Sequence, residues 1–108
     1  MNKVELYDYK SPEIEIHVHA SIIDGRLKIE GQDLGKNVED FWGDNDYEYF
    51  YTLSENDTSM LHEALNETTN KNIPLLEKMK LNFSGIEGCR KFREFCEEHS
   101  IKYEFFSY

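Results

Sequence analysis

Residues Glu13 to Ile23 alternate without a break: Ile14, Ile16, Val18, Ala20 and Ile22 share one parity, and Glu15, His17, His19 and Ser21 share the other. Strand side chains point to opposite faces with period two, so this is a strand with one apolar and one polar face. Asp24-Gly25 follows directly. An Asp-Gly pair between alternating runs is the loop of a type I′ hairpin, whose two central residues both need positive φ. Folding about that loop sets Ile22 opposite Leu27, Ala20 opposite Ile29, Ser21 opposite Lys28 and His19 opposite Glu30. Apolar residues meet apolar ones and polar meet polar, whereas a slip of one residue would set apolar residues opposite polar ones. Any fold for this chain must contain this antiparallel hairpin.

The other elements read around it. Val4 to Tyr9 is a short strand with Val4 and Leu6 on one face, ended by Ser11-Pro12. Gly31 to Lys36 reads as a loop, Val38 to Trp42 as a helical turn packing Val38, Phe41 and Trp42, and Gly43-Asp44-Asn45 as a turn. Tyr47 to Leu53 sets Tyr47, Tyr49, Tyr51 and Leu53 against Glu48, Phe50 and Thr52, which predicts a third long strand inside the sheet.

From Ser54 onward the period becomes helical. Ser54 with Asp57 is a capping-box variant that opens a helix from Glu55 to Glu67, with Met60, Leu61, Ala64 and Leu65 as its buried stripe. Pro74 suits the first turn of a second helix that buries Leu75, Leu76, Met79 and Leu81. Ser84 with Glu87 predicts a capping box for a third, whose inward face is Ile86, Cys89, Phe92, Phe95 and Cys96. Ile101 to Tyr108 closes the chain as a strand with Tyr103 and Phe105 on one side. The predicted architecture is one α+β domain spanning 1–108. It has a mostly antiparallel sheet, the hairpin plus two or three further strands, with about three helices packed on one face.

Charge narrows the function. The formal net charge is −10, and residues 1–70 carry 16 acids against 5 bases, net −11, while residues 71–108 carry 6 against 7, net +1. Such a field repels nucleic acid and anionic membrane and attracts basic partners over long range. No apolar run approaches the roughly 18 residues of a membrane span, and the N-terminal residues lack a signal-peptide apolar stretch, so a cytoplasmic location is expected. Cys89 and Cys96 sit seven apart on one predicted helix, about 10 Å between backbones at 1.5 Å rise per residue. That is beyond disulfide reach, and two free thiols fit a reducing compartment.

No constellation stands out as catalytic, which favours a protein that is not an enzyme. His17 and His19, with Glu13 and Glu15 along the same row, are spaced about 7 Å apart on one strand and do not close a metal site. Asp44, Asp46, Glu48 and Glu55 match part of a calcium-loop count, but Tyr49 stands where that loop needs glycine. Cys89 and Cys96, with His62 or His99 as a base, lie on an apolar stripe that suits packing better than nucleophilic chemistry. Arg90 faces Glu87 and Glu94 at helical spacing, so it is expected to be paired. No metal or cofactor is expected.

What remains is the segment from Glu30 to Asp57, with nine acids against Lys36 alone and with Phe41, Trp42, Tyr47, Tyr49, Phe50 and Tyr51 interleaved. Aromatics supply rigid contact area, and carboxylates select Lys and Arg on a partner. In size, acidity and α+β make-up the chain resembles the small cytoplasmic immunity proteins of bacterial toxin–immunity systems, a likeness of general character across the chain. The strings Glu30-Gly31-Gln32-Asp33-Leu34-Gly35, Asp46-Tyr47-Glu48-Tyr49 and Ile101-Lys102-Tyr103-Glu104-Phe105-Phe106 also resemble a widespread group of uncharacterised bacterial proteins, a likeness that carries no activity. The first resemblance implies tight binding to a cognate toxin domain, often a basic nuclease, with acids plugging its active site. The expected partner surface is Asp40, Trp42, Asp44, Asp46, Glu48, Tyr49 and Tyr51. Two alternatives stay open at this point. One is a small-ligand domain or enzyme with a pocket between the hairpin and the helices and His17 or His19 as polar handle. The other is a homodimer built by pairing sheet edges.

Overall fold

The computed structural model describes residues 2–35, 46–67 and 72–108. Five strands form one sheet in the order of the sequence, every neighbouring pair antiparallel: β1 (Lys3–Lys10), β2 (Ile14–Ile23), β3 (Arg26–Gly35), β4 (Asp46–Thr52) and β5 (Glu104–Ser107). Between β4 and β5 the chain forms α1 (Glu55–Ala64), continued by a 3₁₀ turn at Leu65–Glu67, then α2 (Leu75–Phe83) and α3 (Gly88–Glu98). This is the α+β fold the periodicities predict, with the helices on one face of the sheet.

The hairpin register is the predicted one. Ile22 pairs with Leu27, Ser21 with Lys28, Ala20 with Ile29 and His19 with Glu30. Asp24 and Gly25 take φ of 53° and 77°, the positive values that a type I′ loop requires. From here the pleat assigns every rung. Ala20, Ile29, Tyr51 and Phe105 form one row toward the helices, and His19, Glu30, Phe50 and Phe106 form the next row on the opposite face.

The expected loop at Gly31–Lys36 is corrected for its described part: β3 continues through Gly35, pairing Gly31 with Val18 and Leu34 with Glu15. The ten-residue β2 offers a full-length template, and glycine at 31 is a packing requirement. A Cβ there would lie 2.0 Å from the Tyr49 ring, which crosses the strand at that point. The helical turn at Val38–Trp42 and the turn at Gly43–Asn45 lie outside the described residues.

Two helix expectations also change. Ser84 does not cap α3; its hydroxyl donates to the Lys80 carbonyl and ends α2. Gly85 then turns the chain at positive φ, its N–H donating to the Leu6 carbonyl, and α3 starts only at Gly88. Ile86 therefore falls in the turn and is 73% exposed, while Leu81 lies off the buried stripe of α2 at 66%. By contrast, Ser54 caps α1 as predicted, accepting from the Asp57 N–H at 3.1 Å and donating to the Asp57 carboxylate at 2.8 Å.

Leu27, Ile29, Leu53, Leu61, Leu65, Met79, Phe92 and Cys96 form the centre of the core, with Val4 and Leu6 closing it under β1. Lys78 of α2 is also fully buried and donates to the Asn66 side-chain oxygen. One buried hydroxyl ties the layers together. Thr58 Oγ1 accepts from the Leu27 N–H at 3.0 Å and donates to the Ser54 carbonyl at 2.8 Å, fixing the start of α1 to the start of β3. Thr58→Val keeps the shape and strands the Leu27 N–H, so it should cost about 1–3 kcal/mol in urea unfolding, with Thr58→Ser recovering most of it. Equal stability of the valine variant and wild type would show that this tie contributes nothing.

Candidate functional site

The sheet divides the candidate residues between its two faces. On the face away from the helices Glu48 lies beside Phe50, and Phe50 meets Phe106 at 5.1 Å between ring centroids and Tyr108 at 5.6 Å. Phe106 is 41% exposed and Tyr108 77%. Lys28 Nζ stands 5.0 Å over the Phe50 ring and 3.1 Å from Glu30 Oε1. Glu104 continues the row through Thr52 and Lys28. Farther along the same face, His17 sits between Asp8 (2.5 Å) and Glu15 (3.3 Å), and His19 lies 3.2 Å from Glu30. No helix among the described residues packs on this face.

Of the predicted partner residues, only Glu48 has a described side chain here. Tyr51 is corrected: it is 3% exposed, packed edge-on against Phe92 and Tyr103, and it points toward the helices. Tyr49 shares that parity, is half-buried, and lies over Gly31. The physical reason is the rung order, because Tyr51 pairs with Ile29, whose face the hairpin had already turned inward. Asp40, Trp42 and Asp44, and the side chain of Asp46, lie outside the described residues. Residues missed in the sequence are Phe106 and Tyr108. Their signal was the register of β5 against Phe50, which only the fold supplies.

His17 and His19 are no handle for a cavity between sheet and helices, since they lie on the opposite face. Arg90 is paired as predicted, with Glu87 at 2.5 Å and Glu94 at 2.8 Å. Cys89 and Cys96 are free thiols on α3, both raised in pKa by burial, Cys96 to about 12. The edge strands carry their own protection. β1 has a bulge between Glu5 and Tyr7, and β5 is four residues long.

A concave feature lies on the helix side, between α3 and strands β3, β4 and β5. Asp33, Tyr47, Tyr49, Tyr51, Cys89, Arg93 and Phe105 line a groove of about 280 Å³. Arg93 Nη1 donates to the Tyr51 hydroxyl at 2.6 Å. Burial raises the Asp33 carboxyl, and a hydrogen bond from Tyr49 opposes the rise. Burial also raises the Tyr49 hydroxyl, with the Asp33 charge acting in the same direction.

Among the described residues, no three His, Cys, Asp or Glu side chains stand close enough to hold a metal ion, and no helix is long and apolar enough to cross a membrane. In comparisons with known proteins, the chain matches no family model, no curated protein and no solved structure.

The open face predicts opposite behaviour for its two histidines. The Glu15 hydrogen bond, with Asp8 adding to it, raises His17 above the usual histidine value, against a smaller loss from desolvation. Burial, with the nearby Lys3, lowers His19. In an NMR titration His17 should therefore titrate above His19, and Glu15→Gln should bring His17 down. Because its folded pKa is raised, the contribution of His17 to stability is complete below the unfolded value of about 6.5 and is lost as pH rises through the folded value. Coincident titration of the two rings would contradict the arrangement.

Proposed function

We propose that the protein is a binding and neutralising module of the immunity type, acting in the cytoplasm on a basic protein domain such as a toxin nuclease. The observation that carries this reading is the uncovered sheet face, where the ring cluster Phe50, Phe106 and Tyr108 adjoins Glu30, Glu48 and Glu104. Rings held against one another in a rigid sheet give contact area at small entropic cost, and the neighbouring carboxylates select cationic side chains. The Phe50 ring already carries the Lys28 ammonium, so an incoming arginine or lysine would meet the exposed Phe106 and Tyr108 rings and the carboxylates of Glu48 and Glu104. The net charge of −10 adds long-range steering of a basic partner. Relative to the sequence-based expectation, the binding surface moves from Tyr49 and Tyr51 to Phe50, Phe106 and Tyr108, with Glu48 retained.

The test is affinity capture from lysate of the source organism, followed by measured binding of whatever basic protein is retained. Phe50→Ala/Phe106→Ala should weaken that complex by about tenfold or more, mainly through faster dissociation. Glu48→Lys should slow association and flatten its dependence on salt. Undiminished binding by both variants would place the interface elsewhere and remove the support for this reading.

A further inference from the structure

We propose that the groove between α3 and strands β3–β5 binds a small zwitterion with an aromatic body, of which a free aromatic α-amino acid is the simplest member. The groove lies on the helix side of the sheet, so the inference is independent of the surface proposed above.

Three features of the groove specify this class. Its walls are aromatic: Tyr47, Tyr49, Tyr51 and Phe105 line it, and an adjoining hollow of about 280 Å³ shares Tyr51, Arg93 and Phe105 and adds Tyr103. Such walls accept a flat ring by offset or edge-on contact. The size lies just below the range of about 300–1,000 Å³ that suits drug-sized ligands, which fits a metabolite of amino-acid dimensions.

The second feature is Asp33. Tyr49 supplies the carboxyl with one hydrogen bond, whereas Oδ1 is buried without a hydrogen-bond partner among the described residues. A carboxylate with one oxygen shut off from any donor is costly to hold, and because Asp33 lines the groove an ammonium group there would offset that cost through its charge. Gly31 maintains this end, because any side chain there would displace the Tyr49 ring that reaches Asp33.

The third feature is Arg93. Its Nη1 is committed to the Tyr51 hydroxyl, and a guanidinium carries four further N–H donors in a planar fork suited to a carboxylate. The charges of Asp33 and Arg93 both bear on the Cys89 thiol, one raising and one lowering its pKa, so both belong to the same groove. A net cation would meet Arg93 and a net anion would meet Asp33. A ligand carrying both charges, spaced along one small body, matches both.

The experiment is a titration of the whole chain with L-phenylalanine, 2-phenylethylamine and 3-phenylpropionate, followed by calorimetry and NMR. The amino acid should bind saturably, with shift changes confined to Asp33, Tyr47, Tyr49, Tyr51, Cys89, Arg93 and Phe105. The amine and the acid should each bind about tenfold more weakly or worse. Asp33→Asn should weaken phenylalanine by a similar factor while leaving 3-phenylpropionate unchanged. Arg93→Lys, which keeps the charge and removes the fork, should weaken phenylalanine and leave 2-phenylethylamine unchanged. Melting curves of both variants establish that they fold. The proposal is overturned by the absence of saturable binding of phenylalanine in the millimolar range, by binding of the amine as tight as that of the amino acid, or by shifts that fall outside the groove.

Discussion

Ala20, Ile29, Tyr51 and Phe105 stand in one row across four strands, and that row follows from the two-residue loop at Asp24-Gly25. Because both loop residues adopt positive φ, the hairpin closes with Ala20 opposite Ile29, and the pleat allows no intermediate position between inward and outward. Once Ile29 faces the helices, β4 adds to β3 with Tyr51 inward and Phe50 outward. β5 then adds to β4 with Phe105 inward and Phe106 outward. A slip of one residue in the hairpin would set Ala20 opposite Glu30, so that the apolar residues of one strand would share a face with the polar residues of the other. The register thus decides on which face of the sheet each ring lies, although Phe105, on the short edge strand, is 49% exposed even on the helix side.

The two faces acquire different chemistry from this one choice. Helices cover the inward face, where Thr58, Leu27 and Ser54 link the layers through buried hydrogen bonds. At its β4–β5 end the cover is incomplete, leaving the groove in which Asp33 and Arg93 are set among tyrosines. The outward face keeps the polar residues of β1, β2 and β3, paired among themselves as His17 with Asp8 and Glu15 and as Lys28 with Glu30. Where that face reaches β4 and β5 it turns aromatic. A charged area merging into an apolar one is the composition of a polar rim beside a contact core.

Much of this was legible in the sequence where local chemistry is strong. The hairpin, the Ser54 cap and the interior position of β4 follow from alternation, turn residues and capping geometry over a few neighbours. What escaped depends on contacts distant in the chain. The parity of Tyr47, Tyr49 and Tyr51 was visible, but which parity is buried is set by pairing with Ile29, about twenty residues earlier. Gly31 reads as a turn residue in isolation, whereas its role is to make room for the Tyr49 ring. Ser84 and Glu87 have capping-box spacing, yet the Gly85 turn bound to Leu6 delays α3 until Gly88. Lys78 and Arg93 illustrate the same point for charge. A lysine or arginine on a helix is expected in solvent, and only the packing of α2 and α3 puts one in the core and the other against Tyr51.

The central claim is the division of the rings between the faces of the sheet. Its most direct test is the effect of a neutral, soluble paramagnetic agent on assigned aromatic resonances. Phe106 and Tyr108 should lose intensity strongly, and Tyr51 and Phe92 should keep theirs. If Tyr51 is attenuated as strongly as Phe106, the register is not the one described, and both the open surface and the groove fall with it.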